Sequence, residues 1–170
     1  MKEISYKNLK LNPITSIADD WIELVTGKDT EKVNAMTLSW GEIGSLWGHS
    51  TGMPVVTIYV RPQRFSKALL DKNDYFTLCF FDGHKKELAY LGSHSGKNED
   101  KIKNVNFTVT SNSSYSYINE SKMVFVCRKL YRQTMKEECF IDKSIIDDFY
   151  PKKDLHDIYI AMIEKILIAE

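Results

Sequence analysis

The sequence predicts a mainly β single domain spanning 1–170, an antiparallel barrel or sandwich with a few short helices. Two observations predict it. Short runs rich in β-branched and aromatic residues recur along the chain, at Pro54–Val60, Tyr75–Phe81 and Met123–Val126. The segments with helical character between them are short, and no Pro/Gly/Ser linker or internal repeat divides the sequence.

The elements follow in order. Lys2–Leu11 reads as a strand or arm ahead of Pro13. Ser16–Val25 holds Ile17, Trp21, Leu24 and Val25, a helical or irregular apolar set, and Gly27–Lys32 is a polar turn. Pro54–Val60 is a strand that Pro62 stops. Ser66 is a candidate cap for a helix through Leu70. Tyr75–Phe81 is a strand broken by Asp82-Gly83. Lys85–Leu91 suits a helix, ended by Gly92. Val105–Thr110 alternates as a strand does. Met123–Val126 is a strand core extended by Cys127, Leu130 and Tyr131, and Phe140-Ile141 reads as one more short strand. Ser144–Phe149 is a helical turn before Pro151. In Ile158–Ile168 the apolar positions fit period two and also a helix.

Composition narrows the function. At 170 residues with 43% hydrophobic content, the chain is long enough to bury roughly 70% of its unfolded surface. Lys plus Arg and Asp plus Glu are 23 each, so no bulk charge draws it to nucleic acid or an anionic membrane. Cys79, Cys127 and Cys139 include no Cys-x-x-Cys pair, which excludes a zinc ribbon or thioredoxin motif; buried free thiols in a reducing compartment are expected. Met1–Leu11 has no apolar core like that of a signal peptide, and no stretch approaches the roughly 20 apolar residues of a membrane helix. The expected location is cytoplasmic. His49, His84, His94 and His156 show no metal-binding spacing, and no Gly-x-Ser-x-Gly elbow, Walker loop or Gly-x-Gly-x-x-Gly fingerprint is present. Neither a metal nor a catalytic side chain is therefore assigned.

Three segments carry binding chemistry. Asn34–Gly41 sets small and polar groups between apolar ones; its Thr37 and Ser39 hydroxyls and strand amides suit the hydrogen-bonding edge of a planar ligand, with Met36 and Trp40 against its face. Read blandly, it is a half-buried strand with hydroxyls facing water. Tyr59–Arg64 places Arg61 and Arg64 around Pro62, just ahead of a helix start. Arginine forks and helix-terminal amides both suit phosphate, although two solvated surface arginines fit the spacing equally. Ser95-Gly96-Lys97 supplies a hydroxyl, a flexible backbone and an ammonium, with Lys101 four residues on; the alternative is a solvated turn.

In their order, and with the β-rich sequence between them, these segments resemble the flavin reductase-like family of FMN-binding split barrels. The similarity runs from about residue 13 to the end and is densest between Val33 and Lys101. It implies a six-stranded antiparallel Greek-key split β-barrel, one FMN per subunit and a homodimer, with Ile158–Ile168 as the closing strand. It implies that Asn34, Met36, Thr37 and Trp40 line the flavin, and that Arg61, Arg64, Ser95, Gly96, Lys97 and Lys101 hold its phosphate and ribityl chain. Trp47 and His49 fall in the family's loop beside the flavin and would govern access. His156 precedes the last strand, where a structural hydrogen bond is the simplest role. Ala161 stands where a glycine is expected. The implied activity is hydride transfer from NADH or NADPH to flavin and on to an acceptor. A flavoredoxin-like electron carrier with a redox protein partner, or a non-redox ligand-binding barrel, are the alternatives.

Overall fold

The computed structural model describes residues 1–170. Ten strands and five α-helices follow one another as β1 (Lys2–Ile4), α1 (Pro13–Ala18), β2 (Ile22–Thr26), β3 (Asn34–Leu38), β4 (Gly41–Leu46), β5 (Met53–Val60), α2 (Phe65–Lys72), β6 (Tyr75–Phe80), α3 (Lys85–Ser93), α4 (Lys101–Asn104), β7 (Val109–Ser111), β8 (Ser116–Ile118), β9 (Met123–Thr134), α5 (Ser144–Phe149) and β10 (Asp157–Ile168). The main antiparallel sheet runs β3-β2-β6-β9-β10-β5-β4, with β1 added along β10; β7 and β8 form a separate ribbon. The expected six strands are thus eight in this sheet, because the three-residue β1 and the β4 hairpin arm also pair.

Two long strands close the structure. β9 and β10 pair along their length with two register shifts, where Leu130 and Glu164 are the extra residues. Such bulges bend a strand and raise its twist. They let β10 serve β5 through Asp157–Met162 and β1 through Ile166–Ile168. Ala161, fully buried, borders the first bulge. Inside the barrel lies one cluster, including Leu24, Met36, Ile58, Phe76, Phe125 and Tyr159. A second, with Val25, Ala35, Leu88, Leu91, Ile102 and Phe107, lies beneath α3 and α4.

Several elements differ from expectation for identifiable reasons. Ile22–Thr26 is a strand rather than a helical set. Ile22 and Leu24 enter the barrel cluster while Val25 enters the outer one, and a strand covered on both faces shows no alternation. Trp21, at φ 66°, separates it from α1. Gly92 lies within α3 instead of ending it; a Cβ there would come within 3.1 Å of the Thr37 side chain, so the glycine lets the helix settle on β3. Arg64, not Ser66, is the N-cap of α2. Val105–Thr110 is strand only from Val109 on. Phe140-Ile141 forms no strand: it follows a 3-10 turn at Glu137–Cys139, and Ile141 is fully exposed. No helix is long and apolar enough to cross a membrane.

Candidate functional site

β3 ends the sheet and keeps one edge free of strand pairing. An edge strand offers a row of unpaired amides and carbonyls. Along this edge runs a cleft in two joined chambers. The first encloses about 530 Å³, open mouth included, between Met36–Trp40, Tyr59, Arg61, Arg64 and His156. The second encloses about 720 Å³ between Asn34, the start of α2 and the Ser93–Gly96 loop, with Lys101 at its base. Met36 and Arg64 belong to both. No aspartate or glutamate lines either chamber, so the cleft favours an anion.

The second chamber is built from helix ends. α2 starts at Phe65, and the Phe65 and Ser66 amides bond to nothing within the chain. A helix N-terminus with free amides carries a partial positive charge. Arg64 stands at that end and donates from Nη1 to the Gly92 carbonyl at 3.2 Å. Asn34 Nδ2 donates to Ser66 Oγ at 2.6 Å, tying β3 to α2. A Cβ on Gly96 would fall 1.8 Å from Asn34 Oδ1, so only glycine lets this loop close over Asn34. Lys101 is 4% exposed and gives two donors to the carbonyls of Leu91 in α3 and of His94 just after it, which leaves one N–H for a ligand. Burial pulls its ammonium pKa down.

The first chamber carries the rings of Trp40, Tyr59 and His156. Trp40, 43% exposed, packs edge-on against Phe149 at 5.6 Å and tilts over His156 at 5.2 Å. His156 Nδ1 lies 2.8 Å from the Tyr150 hydroxyl. The other neighbour of that hydroxyl is the weak acceptor Met135 Sδ at 3.6 Å, so the tyrosine donates to Nδ1 and the imidazole proton sits on Nε2. Burial, reinforced by the Arg61 charge, pushes this imidazole down to about 4, so it is neutral at ordinary pH. Arg61 is largely committed: Nη1 pairs with Asp154 at 2.7 Å, Nη2 donates to the Phe149 carbonyl at 2.9 Å, and the guanidinium lies over Tyr150. It anchors the Phe149–Asp154 segment beside the chamber.

Beneath the cleft lies a buried acid. Glu23 on β2 is fully buried, opposite Thr37 in register, and burial raises its carboxyl to about 8. Thr37 Oγ1 contacts both Glu23 Oε1 and the Leu88 carbonyl, the latter at 2.6 Å. A hydroxyl has one proton to give. Two acceptors therefore cannot both be served unless Glu23 brings a proton of its own. Glu23 is a neutral acid donating to Thr37, which donates to α3. Its Oε2 is buried with no partner, a costly state for a carboxylate.

Of the residues singled out from sequence, Asn34, Met36, Thr37, Trp40, Arg61, Arg64, Ser95, Gly96 and Lys101 line the cleft. Lys97 does not; its side chain is exposed on the loop beyond Gly96. Trp47 and His49 sit at the exposed tip of the β4–β5 hairpin and line neither chamber. Tyr59, Ser66, Ser93 and His94 line it too, and His156 does so besides bonding Tyr150. Glu23 was missed; the one signal was a lone acid inside the apolar run Trp21-Ile22-Glu23-Leu24-Val25.

No family model matches the sequence, and neither does any curated protein. Solved structures do. An FMN-binding protein from Thermus thermophilus is 18% identical, with a TM-score of 0.67 over 100% of this chain and 83% of that one. A flavoredoxin from Methanosarcina acetivorans is 18% identical, with a TM-score of 0.65 over 100% of this chain and 76% of that one. Nitrilotriacetate monooxygenase component B from Bacillus cereus is 12% identical, with a TM-score of 0.66 over 100% of this chain and 82% of that one. The chain therefore has the split-barrel fold of these flavin reductase-like proteins.

Proposed function

We propose that the β3-edge cleft binds FMN and that the protein is an oxidoreductase passing electrons from NADH or NADPH through the flavin to an acceptor. The observation that carries the reading is a cleft without acidic lining that joins an aromatic chamber to the free N-terminus of α2. FMN is a planar ring joined to a phosphate, and the residues present fit both ends. Arg64, the α2 amides, Ser66, Ser95 and the spare Lys101 donor would hold the phosphate. Met36, Trp40 and the β3 amides and carbonyls would meet the ring. FMN-binding and flavoredoxin structures among the fold's neighbours support the assignment.

When bound, the flavin supplies the redox chemistry, accepting a hydride and releasing electrons onward. The chain orients and shields. His156 presents Nε2–H to the cleft as a neutral donor, held in that tautomer by Tyr150. Trp40 leaves part of the first chamber open to a second planar group. Glu23, Thr37 and Leu88 fix α3, and with it the Ser93–Gly96 loop, against β3. Trp40 and Phe149, both exposed at the mouth, are the apolar surface a second copy would cover, which makes a homodimer the proposed assembly. A reducing, cytoplasmic setting fits the three free thiols, of which Cys79 and Cys127 are buried as expected and Cys139 is exposed.

The test is an anaerobic titration. The flavin-loaded protein should lose its visible flavin absorbance on adding NADH or NADPH. Bleaching by dithionite alone would leave a flavin-binding electron carrier, and failure to bind FMN would remove the reading altogether.

A further inference from the structure

The cleft does not end at the phosphate chamber. A third chamber of about 760 Å³, open mouth included, continues from it and shares Asn34 and Lys101 with it. The three lie in sequence along one strand edge: the first by Leu38, the second by Asn34 and Met36, the third by Lys32 and Val33. At about 3.3 Å per residue, Leu38 to Asn34 spans about 13 Å and Asn34 to Lys32 about 7 Å more. A ligand with its ring in the first chamber and phosphate in the second thus points its phosphate end at the third.

The lining changes there. Val33, Phe107 and Val109 form an apolar wall, and Glu99 and Asp100 join Lys32 and Lys103 around it. Phe107 is stacked flat on Phe81 at 5.4 Å, which fixes its ring. An apolar wall suits a base, carboxylates suit sugar hydroxyls, and ammoniums suit a second phosphate. At the boundary Lys32 Nζ donates to the Gly96 carbonyl and lies 5.1 Å over the Phe65 ring. A neutral carbonyl is a weaker partner for an ammonium than a phosphate is, so Lys32 is poised to exchange one for the other.

We propose that the third chamber receives the adenosine phosphate half of a flavin dinucleotide whose flavin half occupies the first two. The proposal rests on the flavin reading above and makes FAD, rather than FMN, the preferred flavin. Lys32 and Lys103 are its specificity-determining residues.

FMN and FAD affinities should be measured by fluorescence quenching on the full chain, with Lys32→Ala and Lys103→Glu beside it. The expected result is FAD binding about 10-fold or more tighter than FMN, the value of roughly one charge-assisted contact. Each variant should reduce that preference at least severalfold while leaving FMN affinity within about twofold, and AMP, the half assigned to the third chamber, should compete with FAD and spare FMN. FMN binding with no FAD preference, or variants that weaken both flavins equally, would overturn the proposal and leave the FMN reading standing. If neither flavin binds, the functional reading itself fails. Loss of NADH affinity in Lys103→Glu without any FAD preference would assign the chamber to the nicotinamide nucleotide's adenylate and overturn the flavin dinucleotide.

Discussion

Replacing Glu23 by glutamine should remove a pH dependence that the fold imposes on its own stability. In the folded chain burial raises this carboxyl from the ordinary 4.5 to about 8. Between those values the folded state keeps a proton that the unfolded state has released. Stability is therefore fully present below about 4.5 and drains away as pH rises towards about 8. At about 1.4 kcal/mol per unit the loss over that window is on the order of 5 kcal/mol. Glutamine has the same shape and no proton to lose; its amide takes over the donation to Thr37, but the second N–H of its buried NH2 group has no acceptor, a fixed cost of about 1–3 kcal/mol. The variant should be the less stable protein at pH 5 and the more stable at pH 9, with the two curves crossing between about pH 5 and 7. Urea unfolding at several pH values reads this directly. Other titrating groups are common to both proteins and cancel in the difference. A gap that stays constant from pH 5 to 9 would refute the neutral acid.

Arg64→Ala should weaken FMN about 10- to 100-fold, the loss of one charge-assisted contact, and riboflavin much less; equal losses in isothermal titration would point to misfolding or ring contact instead. Gly96→Ala should lower both thermal stability and FMN affinity, because its Cβ would lie 1.8 Å from Asn34 Oδ1; a variant that melts like the parent would contradict that packing. His156 should stay neutral down to about pH 4 by imidazole NMR titration, with the Nε2–H tautomer; a midpoint near 6.5 would mean it is solvated. Light scattering should give twice the chain mass, and Trp40→Ala should shift it towards one chain; a parent monomer at micromolar concentration would dismiss the dimer.

The elements legible in the sequence were those whose pattern is local. Pro54–Val60 and Tyr75–Phe81 carry β-branched and aromatic runs between breakers, and both are strands to within a residue. Of the residues singled out in the three segments, all but Lys97 line one cleft, because β3, the start of α2 and the loop after α3 meet at one strand edge. What stayed hidden depends on tertiary partners. β2 lost its alternation because both its faces are buried, Ile22 and Leu24 in the barrel cluster and Val25 in the outer one. Arg61 looks free in sequence, and its carboxylate partner Asp154 lies 93 residues away. β8, Ser116–Ile118, is a short strand in a polar stretch, held by pairing to β7 and by the Thr77 hydroxyl donating to the Ser116 carbonyl. The outward turn of Lys97 and the inward turn of Lys101 follow from where α4 begins, which spacing alone does not fix.

The central claim is that the β3-edge cleft is a flavin site whose second chamber reads the phosphate. Titrating the apo-protein with FMN and, in parallel, with riboflavin tests it most directly, following flavin fluorescence. Saturation at one FMN per chain is expected, with riboflavin weaker by at least about 10-fold, since it forfeits the α2 amides and Arg64. No quenching by either ligand, or equal affinity for the two, would contradict the account.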